Sequence, residues 1–155
     1  KKGAIITTDG KKIGEHSGIF YYTIGQRHGL HLGSATGSEI YYIAQKRLED
    51  NVIVVAKGKD HPALYCKEIT VTGVNWIRGE EPPLPLSCTA KIRYRQKDQK
   101  CEVLRCPPQN VGGERRGLLY RVIFKQPQWA VASGQSVVFY QKDECLGGGV
   151  IVYEP

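Results

Sequence analysis

The chain has 155 residues, a hydrophobic share of 41% and a formal net charge of +7. That length holds one ordinary domain or two small ones, and the apolar share excludes a disordered chain. No apolar run approaches bilayer length, residues 52–56 being typical, and Lys1-Lys2-Gly3 leads into strand-like residues and not into the apolar core of a signal segment.

Taken in chain order, the secondary-structure signal is almost entirely β. Residues 40–44 and 51–56 are apolar, β-branched or aromatic runs flanking Gln45-Lys46-Arg47-Leu48-Glu49-Asp50, which reads as a hairpin. Residues 67–74 alternate Ile69, Val71 and Gly73 against Glu68, Thr70 and Thr72, as a half-buried strand does. A turn-rich connection follows at residues 78–85. Residues 88–95 alternate again, with Ala90, Ile92 and Tyr94 on the inner side and Lys91, Arg93 and Arg95 on the outer, and residues 101–106 pair with them. Residues 107–117 carry loop chemistry. Strands are then expected over 118–124, 136–140 and 147–153, with Asp143-Glu144 turning between the last two.

No stretch of ten residues carries an amphipathic helical period. The pattern predicts a mainly β chain: a small β-rich domain over residues 1–65, then a closed, antiparallel six-stranded β-barrel over 66–155. The absence of methionine leaves either a missing initiator Met or a piece of a longer polypeptide, and the piece is the expectation.

Charge is unevenly spread. From Lys91 to Arg121 there are nine cations against Asp98, Glu102 and Glu114, a net +6 of the total +7. Clustering of this kind is the footprint of a polyanion partner. Five cysteines without a Cys-x-x-Cys pair, and four histidines remote from them in sequence, do not form a zinc pattern. They read as structural thiols in a reducing cytosol.

Catalytic motifs are missing. There is no Gly-x-x-x-x-Gly-Lys-Ser/Thr loop, no Ser-Gly-Gly-x-Asp-Ser loop, no nucleophile elbow and no His-Glu-x-x-His. Gly147-Gly148-Gly149 leads into a strand and not a helix, so a tight turn or bulge is expected there and not a phosphate cradle. Cys101 and Cys106 lie beside basic residues, but their strand-like alternation suits packing better than nucleophilic attack.

Residues 14–30 stand apart. Gly18, Gly25 and Gly29 punctuate a run of aromatic, amide and cationic side chains. Tyr21 and Tyr22 offer stacking faces, Gln26 a donor and an acceptor, and Arg27 a planar fork for phosphate or a base edge. A tight turn with core tyrosines accounts for the same residues equally well.

The run Gly14-x-His16-x-Gly18 followed by Tyr22-Thr23-Ile24-Gly25-Gln26-Arg27-x-Gly29-Leu30 resembles the signature of the tRNA-specific 2-thiouridylases. The resemblance continues through Asn51-Val52-Ile53-Val54-Val55, Val74-Asn75-Trp76-Ile77, Lys91-Ile92-Arg93-Tyr94-Arg95, the run from Ala132 to Tyr140 and the run from Cys145 to Ile151. Ser133 and Ser34 depart from the family's usual proline and glycine, and the segment carrying Arg115-Arg116 matches nothing in it.

The resemblance implies a central domain and a C-terminal barrel similar to those of translation factors, both contacting tRNA. It implies a parent transferase that puts sulfur at the 2-position of the wobble uridine, using ATP, magnesium and a persulfide cysteine held in a domain outside this chain. The implied RNA-binding residues are His16, Tyr22, Thr23, Gln26 and Arg27 in the first domain and Lys91, Arg93 and Arg95 in the barrel. No catalytic, cofactor or metal residue is expected within the chain. The implied partners are tRNA and, for the parent enzyme, a sulfur-donor relay protein, in the cytoplasm, with no membrane or DNA partner. The alternative is a barrel that docks a sulfur donor or another protein.

Overall fold

The computed structural model describes residues 1–30, 32, 39–107, 110–111, 114–115 and 118–152. The chain divides into two compact units. Within the described residues, the first comprises Lys1–Cys66 together with Trp129–Val131, and the second Lys67–Gln128 and residues 132–152.

The first unit is built on a four-stranded sheet of order β2-β1-β4-β3. Its strands are β1 (Gly3–Thr7), β2 (Lys12–His16), β3 (Tyr41–Arg47) and β4 (Val52–Lys57). β1 with β2 and β3 with β4 are antiparallel hairpins, while β1 and β4 run parallel, Ile5 opposite Ile53 and Thr7 opposite Val55. The hairpin expected from residues 40–44 and 51–56 is present, but β3 runs on to Arg47 across a bulge at Ala44. One face buries Ile5, Tyr41, Ile43, Ile53 and Val55, and Ile19, Tyr22 and Leu30 from the glycine-punctuated stretch close over it. Trp129 packs edge-on against Tyr42, with ring centroids 6.1 Å apart, and donates from Nε1 to the Lys59 carbonyl at 3.1 Å.

The second unit is a closed six-stranded barrel of order β10-β5-β12-β11-β6-β7, the fold class that the alternation predicts. Its strands are β5 (Tyr65–Trp76), β6 (Leu86–Lys91), β7 (Gln99–Arg105), β10 (Leu119–Trp129), β11 (Ser136–Gln141) and β12 (Glu144–Ile151). Two short strands, β8 (Asn110–Val111) and β9 (Glu114–Arg115), pair within the segment that reads as a loop. Inward positions follow the two-residue period: Ile69 and Val71, Cys101 and Val103, Tyr120, Val122 and Phe124, then Val137 and Phe139 are all buried. The period slips at Gly73. Gly73 and Val74 together oppose Gly149, a β-bulge that turns Trp76 inward. Trp76 stacks on Phe139 at 5.7 Å and meets Tyr120 edge-on at 5.8 Å.

The β5–β6 connection returns a carboxylate to this aromatic cluster. Glu81 accepts from the Tyr120 hydroxyl and from Arg105, and Trp76 Nε1 donates to the Tyr120 oxygen at 3.5 Å. The Tyr120 hydroxyl, then Arg105, hold the Glu81 carboxyl below its ordinary pKa. A depressed carboxylate stabilises the fold above its unfolded pKa, about 4.3, and that contribution is lost as pH falls through the lower folded value. Glu81→Gln is therefore expected to flatten the acid limb of barrel stability, measured as urea midpoints between neutral pH and pH ~3. An acid limb as steep as the wild type's would mean that Glu81 is not a source of it.

Candidate RNA interface

In the first unit, the stretch that looks like a ligand-wrapping loop is largely core. Tyr22 and Leu30 are buried and Ile24 packs against them. His16, at the end of β2, is 1% exposed. Its ring meets Tyr22 edge-on at 5.9 Å, and Nε2 lies 3.1 Å from the Asn51 carbonyl. A carbonyl can only accept, so Nε2 carries the proton, and Nδ1 is left without a partner among the described residues. His16 and Tyr22 thus do not reach the surface, contrary to the implied contact role, because the sheet needs their volume. The exposed aromatics here are Phe20 and Tyr21, on the 3-10 turn Ile19–Tyr21.

Gln26 is spent on its own turn. Its backbone N–H donates to the Thr23 carbonyl at 3.0 Å, its Oε1 accepts from the Thr23 N–H at 3.0 Å, and its Nε2 donates to the His28 carbonyl at 2.8 Å. Gly25, with φ of 81°, occupies the third position, as a type II turn requires. The turn is pinned to β3 by Gly25 N–H to Ile43 O at 2.7 Å and Ile43 N–H to Gln26 O at 3.0 Å. The same device recurs in the barrel at Ala132-Ser133-Gly134-Gln135, where Gly134 has φ of 86° and Gln135 Oε1 accepts from Ala132 N–H at 3.0 Å. A recurring local closure explains the amide without any ligand. Thr23, Arg27 and His28 remain exposed, and Arg27 has no hydrogen-bond or ion-pair partner among the described residues.

In the barrel, the expected basic strand face is replaced by a basic turn. β6 ends at Lys91, because Gln96 folds the chain back: its Oε1 accepts from Ile92 N–H at 2.9 Å and its N–H donates to Arg93 O at 3.1 Å. Ile92 takes the last inward place. Tyr94, expected inside, is 96% exposed at the apex between Arg93 and Arg95. Gln96 Nε2 reaches the buried Gln128 Oε1 at 2.6 Å, which ties the turn to β10.

Ion pairs sort the cation cluster. Lys91 meets Asp98 at 3.0 Å, which raises its pKa, and lies 5.1 Å from the centre of the Tyr140 ring. Arg105 is paired with Glu81, and Arg121 meets Glu68 at 3.3 Å. Arg93 is half-buried, and desolvation pulls its guanidinium below the ordinary range. Arg95, Lys97 and Lys100 are exposed with no ion-pair partner among the described residues. Among the described cations of this cluster, those without an ion pair lie in the β6–β7 connection and at the start of β7. The side chains of Arg115 and Arg116, like His31 and Ser34, lie outside the described residues.

Two family models match, one described as "tRNA methyl transferase PRC-barrel domain" over residues 1–57 and one as "Aminomethyltransferase beta-barrel domain" over residues 66–151. The chain is 46% identical over 151 residues to the tRNA-specific 2-thiouridylase MnmA of Coxiella burnetii, covering 96% of this chain and 39% of that protein. The chain belongs to the tRNA-specific 2-thiouridylase family. Other members with the same name are 45% identical over 154 residues in Francisella philomiragia and 44% identical over 151 residues in Pseudomonas aeruginosa. These alignments cover 98% and 96% of this chain but 40% and 38% of the relatives, so it spans about two fifths of a thiouridylase.

The structure bears on several other chemistries that the sequence raises. Gly147-Gly148-Gly149 sits inside β12, where a Cβ would lie 2.2 Å from Asn75 O, 2.5 Å from Val137 O or 2.7 Å from Thr72 O, respectively. Neighbouring strands fill the space that a phosphate would need, so the triplet is no nucleotide cradle. Cys88 and Cys101 face each other across β6 and β7 with sulfurs 3.7 Å apart. The hydrogen shared between them lowers the Cys88 thiol and, together with burial, pushes Cys101 up, while burial pushes Cys106 up, so neither Cys101 nor Cys106 is activated. Among the described residues no three His, Cys, Asp or Glu side chains converge as a metal site, and no helix is long and apolar enough to cross a membrane.

Proposed function

We propose that this chain is the tRNA-holding part of a cytoplasmic enzyme that replaces the 2-oxygen of a wobble uridine with sulfur. In this reading ATP, magnesium and the sulfur-carrying cysteine are handled outside the 155 residues, with a relay protein as sulfur donor. The observation that carries it is the β6–β7 connection, where Arg95 and Lys97, with Lys100 at the start of β7, stand exposed and without an ion-pair partner among the described residues, beside Arg93 on a turn fixed by Gln96. Support comes also from the relatives, whose name specifies tRNA. Thr23 and Arg27 are the remaining surface candidates in the first unit, while His16, Tyr22 and Gln26 act by holding the stretch that presents them.

Cations on phosphates displace counterions, so the logarithm of affinity falls linearly with the logarithm of salt. Fluorescence anisotropy with unmodified tRNA across a potassium chloride series should give such a line. Arg95→Ala should weaken binding to every tRNA alike and reduce the slope by about one unit. Absence of salt-dependent tRNA binding would refute the reading. Salt-insensitive binding to a protein partner in its place would support the protein-docking alternative.

A further inference from the structure

Two thiols meet on the inner face of the β6–β7 ladder. Cys88 and Cys101 occupy directly opposite positions, with sulfurs 3.7 Å apart. Opposed residues of an antiparallel pair have Cα atoms ~4.5–5.5 Å apart, inside the ~4.4–6.8 Å range that a disulfide spans. Bond formation therefore asks only for side-chain rotation and a small approach of the strands. The neighbours fix this register: the fully buried Val103 lies opposite Leu86, and the fully buried Ala90 opposite Gln99. A one-residue slip would turn Ala90 or Val103 outward, so the core holds the two sulfurs face to face.

The two sulfurs are not equivalent. Cys101 is 8% exposed, whereas Cys88 is half-buried. β6 pairs with β11 only over residues 89–91, so Cys88 lies beyond the end of that ladder, in keeping with its partial exposure. The hydrogen bond between the thiols holds Cys88 below its ordinary range, against the pull of burial, and together with burial pushes Cys101 up. A reachable sulfur of lowered pKa attacks first, and a buried neighbour resolves the product.

We propose that Cys88 and Cys101 are a reversible dithiol–disulfide pair, with Cys88 attacking, Cys101 resolving and a low-molecular-weight disulfide as oxidant. Cys88 gives its proton to solvent, and its thiolate bonds one sulfur of the oxidant as the oxidant's S–S bond breaks. The departing thiolate takes up a proton. Cys101 then loses its proton and attacks Cys88 Sγ, expelling the second thiol. The protein gives up two electrons and two protons, and the oxidant receives them as two free thiols. The new bond closes the loop of residues 88–101, which carries the exposed Arg95, Lys97 and Lys100, so oxidation staples the base of the basic turn. A transient bond of this kind suits a reducing compartment. The pair does not depend on the reading that the chain binds tRNA.

The test incubates the native chain with excess oxidised glutathione at neutral pH, quenches with N-ethylmaleimide, and maps tryptic peptides by mass spectrometry. Lysines and arginines between the two cysteines, Lys97 and Lys100 among them, let trypsin separate them, so the disulfide appears as two joined peptides. The wild type is expected to lose two thiols into that linkage in most molecules, and dithiothreitol to restore both. Cys101→Ser and Cys101→Ala should stop with one glutathione on Cys88, whereas Cys88→Ala should leave Cys101 unmodified. The wild-type linkage decides the matter and needs no variant to fold. A wild type that keeps all five thiols, or that holds glutathione on Cys88 without the linkage, overturns the proposal. A linkage that forms only after unfolding in urea, or that joins other cysteines equally, overturns it too.

Discussion

Gly148→Ala is expected to destabilise the barrel by on the order of 3 kcal/mol, lowering its thermal midpoint by 10 °C or more. The added methyl would stand 2.5 Å from Val137 O and 3.3 Å from Val138 Cα. Those atoms are backbone of β11, paired with β12 in register Val138 to Gly148, so no rotamer change relieves the contact. The strands have to part, and β12 lies between β11 and β5 in a closed barrel, so one ladder cannot open without straining the next. Near-ultraviolet circular dichroism and fluorescence report on it directly, because Trp76 pairs with Gly147 and stacks on Phe139. A midpoint within 2 °C of the wild type, on the scale of ~4–8 °C per kcal/mol for a domain of this size, would contradict the close approach.

The second large effect falls in the signature stretch. Gly25→Ala should cost about 2–4 kcal/mol in the first unit, from a left-handed backbone (φ 81°) and a clash. A Cβ at Gly25 lies 2.5 Å from the Ala130 Cβ and 3.1 Å from the Trp129 ring. Ala130 has φ of 48°, itself unfavourable for a side chain, so Ala130→Gly alone should be neutral or slightly stabilising. Combining the two should recover the clash but not the backbone strain, giving a coupling of about 1 kcal/mol or more in a double-mutant cycle. Strict additivity in urea unfolding would show that the two positions do not meet. The cycle also bears on function, since it separates the glycine's structural need from any contact with RNA.

Much of the barrel was legible as alternation, because a two-residue period survives wherever one strand face is buried. Ile69 and Val71 or Val137 and Phe139 could be assigned to the inside without coordinates. Alternation misled at Tyr94 because a side-chain amide ended the strand: Gln96 competes for Ile92 N–H, and nothing in the apolar pattern records that competition. The bulge at Gly73 shifted the phase of β5 in the same way, through one residue without a partner. In the first unit the glycines of residues 14–30 looked like a wrapping loop. They are turn devices that let Tyr22 and Leu30 fold back onto the sheet, with His16 buried beneath them and the Gln26 amide committed to the turn itself. Composition located the positive charge but could not say which cations were neutralised. Glu81, Glu68 and Asp98 are distant in sequence from some of their partners, and only the fold brings Arg105 to Glu81 and Arg121 to Glu68.

The parallel pairing of β1 with β4 governs the order in which the first unit can assemble. Each of its hairpins closes locally and can form on the microsecond scale of such elements. Joining them brings Thr7 beside Val55, a closure across most of the unit that gains no contacts until it is nearly complete. Because β1 is an inner strand, with β2 outside it, the early hairpin cannot lie at the margin and wait. It must dock as a preformed pair, so the slowest event in this unit is the meeting of two ready-made ribbons and not the growth of either.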